Sequence, residues 1–237
     1  MRHLLIALLM FPLTGIEFQN HNTKLINRIV ASSVVLHMKS KKTMEDGSKR
    51  MLYGGCSGTF IGAYTILTAA HCFDGDLPVQ IWARGPNELM GYPCHLVAWD
   101  KMKDLALLDV PYKHSYVKFG KYPKRGDKVL NIGSPLEFEF VPSEGLIGMG
   151  HYYVLGFTGR YLITTAMINP GSSGGGAFDE KGRLVGVNTM TWGMFGWQGI
   201  TFAVDIDTIN LFLSEILRRY RPVLHENVDI ERGYYEN

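Results

Sequence analysis

The feature that most limits the possible folds is a succession of short apolar, β-branched segments broken by glycine-bearing turns. Arg28–Met38, Leu52–Ile61, Tyr64–Thr68, Val79–Ala83, His95–Ala98, Leu105–Val110, Lys128–Ile132, Ser143–Met149, Tyr161–Thr165, Leu184–Met190 and Ile200–Val204 each read as a strand. Such spacing predicts a sandwich or barrel and argues against alternating βαβ units. Glycine supplies the turns, with 27 in 237 residues, about 11% against a usual 7% or so. Hydrophobic residues make up 46% of the chain and the formal charge is only +2, which excludes a disordered chain. That charge also gives no reason to expect nucleic acid as a partner.

One helix stands out. Ile206, Ile209, Phe212, Leu213, Ile216, Leu217 and Tyr220 recur at steps of three and four, so residues 205–221 have one apolar face. Asp205 or Asp207 can cap its start, Arg218 and Arg219 suit its negative end, and Pro222 stops it. At the other end, Met1-Arg2-His3 precedes an unbroken apolar run, Leu4–Phe11. The run is too short to span a bilayer but fits a secretory signal, so residues 1–23 are read as a leader. A membrane span is expected only if that leader stays uncleaved, and the protein is expected to be exported, periplasmic or secreted. Residues 24–221 form the folded domain, with a seam at about 111–123, and 222–237 form an acidic tail.

Three places carry chemistry. Thr68-Ala69-Ala70-His71-Cys72 puts a histidine where a buried strand gives way to a loop. Asp104 precedes Leu105-Ala106-Leu107-Leu108, a carboxylate at the mouth of another buried strand. Asn169-Pro170-Gly171-Ser172-Ser173-Gly174-Gly175 is a glycine-rich turn fixed between two strands, where backbone N–H groups can converge on one point.

In this order and setting, the three resemble the chymotrypsin-like serine peptidases, whose motifs are T-A-A-H-C, D-[IL]-A-L-L and G-x-S-G-G. Gly133-Ser134-Pro135-Leu136, Val187-Asn188-Thr189 and Phe202-Ala203-Val204 before a helix are similar to the Deg/HtrA branch. So is the short interval of 33 residues between His71 and Asp104. The resemblance covers about Arg28 to Tyr220. It implies an all-β fold of two six-stranded antiparallel Greek-key β-barrels with a C-terminal helix. It also implies a serine endopeptidase acting on protein or peptide substrates, with His71 as base, Asp104 as its orienting acid and Ser173 as nucleophile. The N–H groups of Gly171 and Ser173 would form the oxyanion hole. A catalytically silent binding module on the same fold is the alternative. Neither cofactor nor metal is expected, and no PDZ-type module is expected after the helix.

The same resemblance implies a disulfide between Cys56 and Cys72, 16 residues apart, with Cys94 left as a buried thiol. It places the substrate pocket at Met167, Thr189, Met190 and Thr191, none of them charged. Arg28-Ile29-Val30 is similar to the activation site of trypsin-type zymogens. The acidic partner of that site is replaced by Ser172, so Ile29-Val30 is read as ordinary strand. Lys39, Lys41, Lys42, Lys49 and Arg50 are read as a solvated hairpin loop, with a basic docking patch as the alternative.

Overall fold

The computed structural model describes residues 21–73, 78–191 and 199–220, and it opens on a helix, α1 (His21–Val30). This corrects the reading of Arg28–Met38 as one strand, because Arg28, Ile29 and Val30 form the last turn of α1. Packing decides the matter. Leu25 and Ile29 lie four apart on one helical face, and Ile29 is fully buried beside Phe178 and Leu184. As a strand, the segment would turn Ile29 and Val30 to opposite faces. The Ser33 hydroxyl donates to the Ile29 carbonyl at 3.0 Å, which closes the helix where the first strand begins. Most of the leader assigned to 1–23 and the tail at 222–237 lie outside the described residues.

The first half of the chain forms β1 (Ser33–Thr43), β2 (Lys49–Gly62), β3 (Thr65–Thr68), β4 (Pro78–Arg84), β5 (Tyr92–Pro93), β6 (His95–Asp100) and β7 (Leu105–Asp109). They make one antiparallel sheet in the order β5-β4-β1-β2-β3-β7-β6, a half-barrel. The second half forms β8 (Lys128–Gly133), β9 (Val141–Tyr153), β10 (Arg160–Thr164), β11 (Gly176–Phe178), β12 (Leu184–Thr191) and β13 (Thr201–Asp205). These six close into a barrel, β10-β13-β12-β11-β8-β9. The all-β, two-unit architecture with a terminal helix therefore stands. The first unit is a seven-stranded sheet in place of a six-stranded barrel, its extra member being the two-residue β5.

Burial explains the sequence pattern of the strand that delivers Asp104. Leu105 and Leu107 face a core shared by the two units, while Ala106 and Leu108 face the interior of the first. A strand buried on both faces reads as an unbroken apolar run. The helix α2 (Ile206–Tyr220) lays Ile209, Phe212, Leu213 and Ile216 into the shared core. Asp205 caps it by accepting the Thr208 N–H at 2.8 Å. Lys103 ties α2 to the turn before Asp104, reaching Glu215 at 2.9 Å and Asp100 at 2.6 Å.

The polar stretch at 39–50 is more ordered than a loop. β1 and β2 stay paired out to Thr43↔Lys49, forming a two-stranded ribbon. Its tip is held by Asp46, whose carboxylate accepts the Ser48 N–H at 2.8 Å and hydroxyl at 2.6 Å.

Candidate active site

His71 is placed by what precedes it. Thr68, Ala69 and Ala70 are fully buried, so the chain leaves β3 anchored, and a 3-10 turn at Ala70–Phe73 then presents the imidazole to the cleft. Asp104 sits at the start of β7 with φ +54, a left-handed conformation that aspartate tolerates better than most residues. Its carboxylate is 1% exposed and well supplied with donors. Oδ1 accepts the His71 backbone N–H at 2.8 Å, and both oxygens lie within 3.0 Å of His71 Nδ1. The Thr189 hydroxyl donates to Oδ2. Nδ1 thus faces carboxylate oxygens, an arrangement that favours the tautomer with the proton on Nδ1 and the lone pair on Nε2.

The turn bearing Ser173 is stitched onto its surroundings by backbone bonds. Gly174 N–H donates to the Asn188 carbonyl and Asn188 N–H to the Gly175 carbonyl, each at 2.8 Å. Ser57 N–H donates to the Ser173 carbonyl at 2.8 Å, and Ser173 Oγ donates to the Thr189 carbonyl at 3.2 Å. Two glycines are needed for geometric reasons. Gly171 has φ +97, and a Cβ there would lie 2.5 Å from the Ser134 carbonyl oxygen. Gly174 has φ +83, and a Cβ would run into Thr68 Oγ1 and the Ser57 carbonyl. The Pro170 carbonyl accepts the Leu136 N–H at 3.0 Å. Because the intervening peptide is trans, the Gly171 N–H points away from the 134–138 segment.

His71, Asp104 and Ser173 are thus gathered at the junction of the two units, with Gly171 beside them. Of the residues assigned to the pocket, Met167 is 56% exposed and Met190 is partly buried against the shared core. Thr191 closes β12 opposite Thr201. Thr189 differs from the expectation: its side chain is buried and turned to Asp104, so it supports the acid and offers the cleft only its backbone.

Ser57 has no part in the sequence reading, yet four bonds meet on it. Besides holding the Ser173 carbonyl, its hydroxyl donates to the Gly171 carbonyl at 2.8 Å and accepts the Ser134 N–H at 2.9 Å. Its carbonyl accepts the Thr68 hydroxyl at 2.7 Å. The only pointer in the sequence is its place directly after Cys56.

The sulfurs of Cys56 and Cys72 lie at bonding distance, 2.06 Å, which ties the His71 turn to β2. Burial pushes the Cys94 thiol up to about 12. Among the described residues, one group has ligand spacing for a cation: His151, Asp205 and Asp207, with atoms within 4.8 Å of one another. The Arg160 guanidinium lies among them, 3.1 Å from His151 Nδ1 and 2.8 Å from Asp207 Oδ2. It supplies the positive charge that those groups would otherwise seek.

Residues 56–187 match the trypsin-like peptidase domain, a span that contains His71, Asp104 and Ser173. The chain belongs to the trypsin-like peptidase family. It is 37% identical over 117 residues to a probable periplasmic serine endoprotease DegP-like of Pseudomonas putida (strain GB-1), covering 47% of this chain and 24% of the relative. It is 31% identical over 153 residues to the serine endoprotease DegS of Haemophilus influenzae (strain ATCC 51907 / DSM 11121 / KW20 / Rd), covering 61% of this chain and 43% of that one. The chain therefore spans about a quarter of the first of these curated relatives and less than half of the second. Among solved structures, the HtrA-type protease AlgW with tripeptide superimposes with a TM-score of 0.72 at 26% identity, covering 84% of this chain and 64% of that one. The trypsin-like domain described here thus has the fold of the HtrA-type proteases.

Proposed function

We propose that this trypsin-like domain is a serine endopeptidase that cleaves protein or peptide substrates through Ser173, His71 and Asp104. The observation that carries the reading is the Asp104 carboxylate, which is buried and takes its donors from the His71 ring, the His71 backbone and Thr189. A serine hydroxyl needs a base to act as a nucleophile at neutral pH. His71 Nε2 takes the Ser173 Oγ proton as Oγ attacks the peptide carbonyl carbon, and Asp104 stabilises the imidazolium that forms. The N–H groups of Gly171 and Ser173 donate hydrogen bonds to the developing oxyanion. The proton then passes from Nε2 to the leaving nitrogen, which leaves an acyl-enzyme on Ser173. Water hydrolyses that ester by the same transfers in reverse.

Met167, Met190 and Thr191 bring no carboxylate to the proposed pocket, so a substrate Lys or Arg there would be desolvated without one of them as partner. Val, Ala, Ile or Leu before the scissile bond gains apolar burial instead, about 25 cal/mol per Å². A strong preference for Arg or Lys in a peptide-library profile would overturn that assignment. Export is supported by the apolar run at Leu4–Phe11, the cysteine pair at bonding distance and relatives named as periplasmic. No helix among the described residues is long and apolar enough to cross a membrane.

The deciding experiment is fluorophosphonate labelling together with casein cleavage. Wild-type protein labels and cleaves, while Ser173→Ala loses both, with kcat down roughly a millionfold. Unchanged cleavage by purified Ser173→Ala would sink the assignment. Asp104→Asn should lose activity, whereas Asp100→Asn and Asp109→Asn should retain it.

A further inference from the structure

Among the described residues, only the inner half of β2 has bonding partners on both edges. Along it, alternate residues turn their backbone groups to opposite edges. Phe60 N–H donates to the Ser32 carbonyl on the β1 side at 2.8 Å, while Ser57 N–H turns the other way to the Ser173 carbonyl, also at 2.8 Å. Thr59, of the same parity as Ser57, pairs with Leu67 of β3. The register with β1 runs without a slip from Ser33↔Thr59 to Thr43↔Lys49. Gly55, Tyr53, Met51 and Lys49 therefore direct their N–H and C=O groups to an edge that no strand among the described residues occupies. That edge starts beside the nucleophile's own carbonyl and runs outward for about 20 Å, roughly six residues of extended chain. Its inner part, Tyr53–Cys56, walls a cavity of about 610 Å³ that also borders Gly171. The residues assigned to the acyl-side pocket do not line this cavity.

Side chains along the edge change character with distance from Ser173. Tyr53, Leu52 and Met51 come first, all exposed, followed by Arg50 and Lys49. The partner strand adds Lys41 and Lys42, and the register sets Lys42 directly opposite Arg50. Like charges facing across a ribbon are unfavourable until an anion joins them. Among the described residues no carboxylate pairs with Lys41, Lys42, Lys49 or Arg50. Glu139, the one acid in the cavity wall, is held by Arg84 at 3.0 Å.

Resting on the serine peptidase reading, we infer that the open edge of β2 takes the leaving-group side of a protein substrate as an added strand. The basic end of the ribbon then favours chains with acidic residues roughly six to nine positions beyond the scissile bond. Another copy of the same ribbon is a poor occupant, because cation would meet cation. A polypeptide suits the edge better than a nucleic acid does, since the edge offers alternating donors and acceptors and is continuous with the nucleophile.

The test uses three fluorogenic peptides that share the residues around one cleaved bond. One stops soon after the bond, one continues into a neutral tail of about nine residues, and one carries Asp and Glu at the end of that tail. The acidic tail should raise kcat/KM by roughly tenfold over the neutral tail, through KM, with the gain fading as salt rises. Combined Lys49→Glu and Arg50→Glu should abolish the gain and leave cleavage of the short peptide unchanged. Equal kcat/KM for both tails, or a gain that survives charge reversal, overturns the inference. Anisotropy with the Ser173→Ala protein reads tail-dependent binding without turnover. If the short peptide is never cleaved, the peptidase reading fails while the binding measurement still judges the ribbon. Charge reversal that alters only oligomeric state, or only retention of a single-stranded oligonucleotide, also overturns it.

Discussion

Thr189 holds Asp104 from behind: its hydroxyl donates to the carboxylate oxygen Oδ2, while its carbonyl accepts Ser173 Oγ at 3.2 Å. One residue of β12 thereby touches both the proposed acid and the proposed nucleophile. Thr189→Val keeps the shape but removes a donor from a buried carboxylate, a loss of about 1.5–3 kcal/mol. Activity is expected to fall about tenfold or more, and Thr189→Ser should recover most of it. A full-speed Thr189→Val enzyme would show that the hydroxyl contributes nothing to holding the acid.

Gly174→Ala meets two obstacles, the left-handed φ of +83 and the crowding against Thr68 and the Ser57 carbonyl. Together these should destabilise the fold by about 3 kcal/mol or more and abolish activity. Gly47→Ala is the control. Its φ is +77, but nothing lies within 4 Å, so only a conformational penalty of about 1 kcal/mol is expected. Thermal unfolding of the two variants side by side separates crowding from backbone strain.

Joining Cys56 to Cys72 closes a loop of a size worth about 3 kcal/mol in the chain-entropy model. Reduction should lower both melting temperature and activity, since the bond pins the turn that carries His71. Cys94, buried and with its thiol pushed up to about 12, should resist iodoacetamide at pH 8 until the protein unfolds. Peptide mapping that finds three alkylatable thiols in protein recovered from an oxidising compartment would refute the bridge.

His114 stacks against Phe60 at 4.3 Å and Tyr92 at 5.0 Å. Burial there holds its imidazole below the ordinary 6.5. Between its folded and unfolded values the unfolded chain binds more protons, so stability falls as pH drops below about 6.5. Above that value His114 is neutral in both states and contributes no pH dependence. His114→Phe keeps the stack and removes the proton site. Its melting temperature should therefore decline less between pH 7 and 5 than that of wild type, and parallel declines would refute this role for the residue.

The sequence is informative wherever a residue's place follows from the strand beside it. His71 ends one buried strand and Asp104 begins another, so both can be singled out before any contact is known. The long strands of both units are readable for the same reason, while β5 and β11, two and three residues long, are too short to show a period. Thr189 and Ser57 belong to a different class. Thr189 acts on a residue 85 positions away and Ser57 on one 114 positions away, through contacts that no local pattern encodes. The run Arg28–Val30 is ambiguous by nature, since β-branched residues suit a strand and their spacing also suits a helix. Burial of Ile29 settles it.

That burial has a mechanical consequence. Ile29 is buried in one core cluster with Leu67 and Leu107 of one unit and Phe178 and Leu184 of the other. It belongs to the helix α1, so moving that helix would empty space in a core that both units share, and loosen the two together.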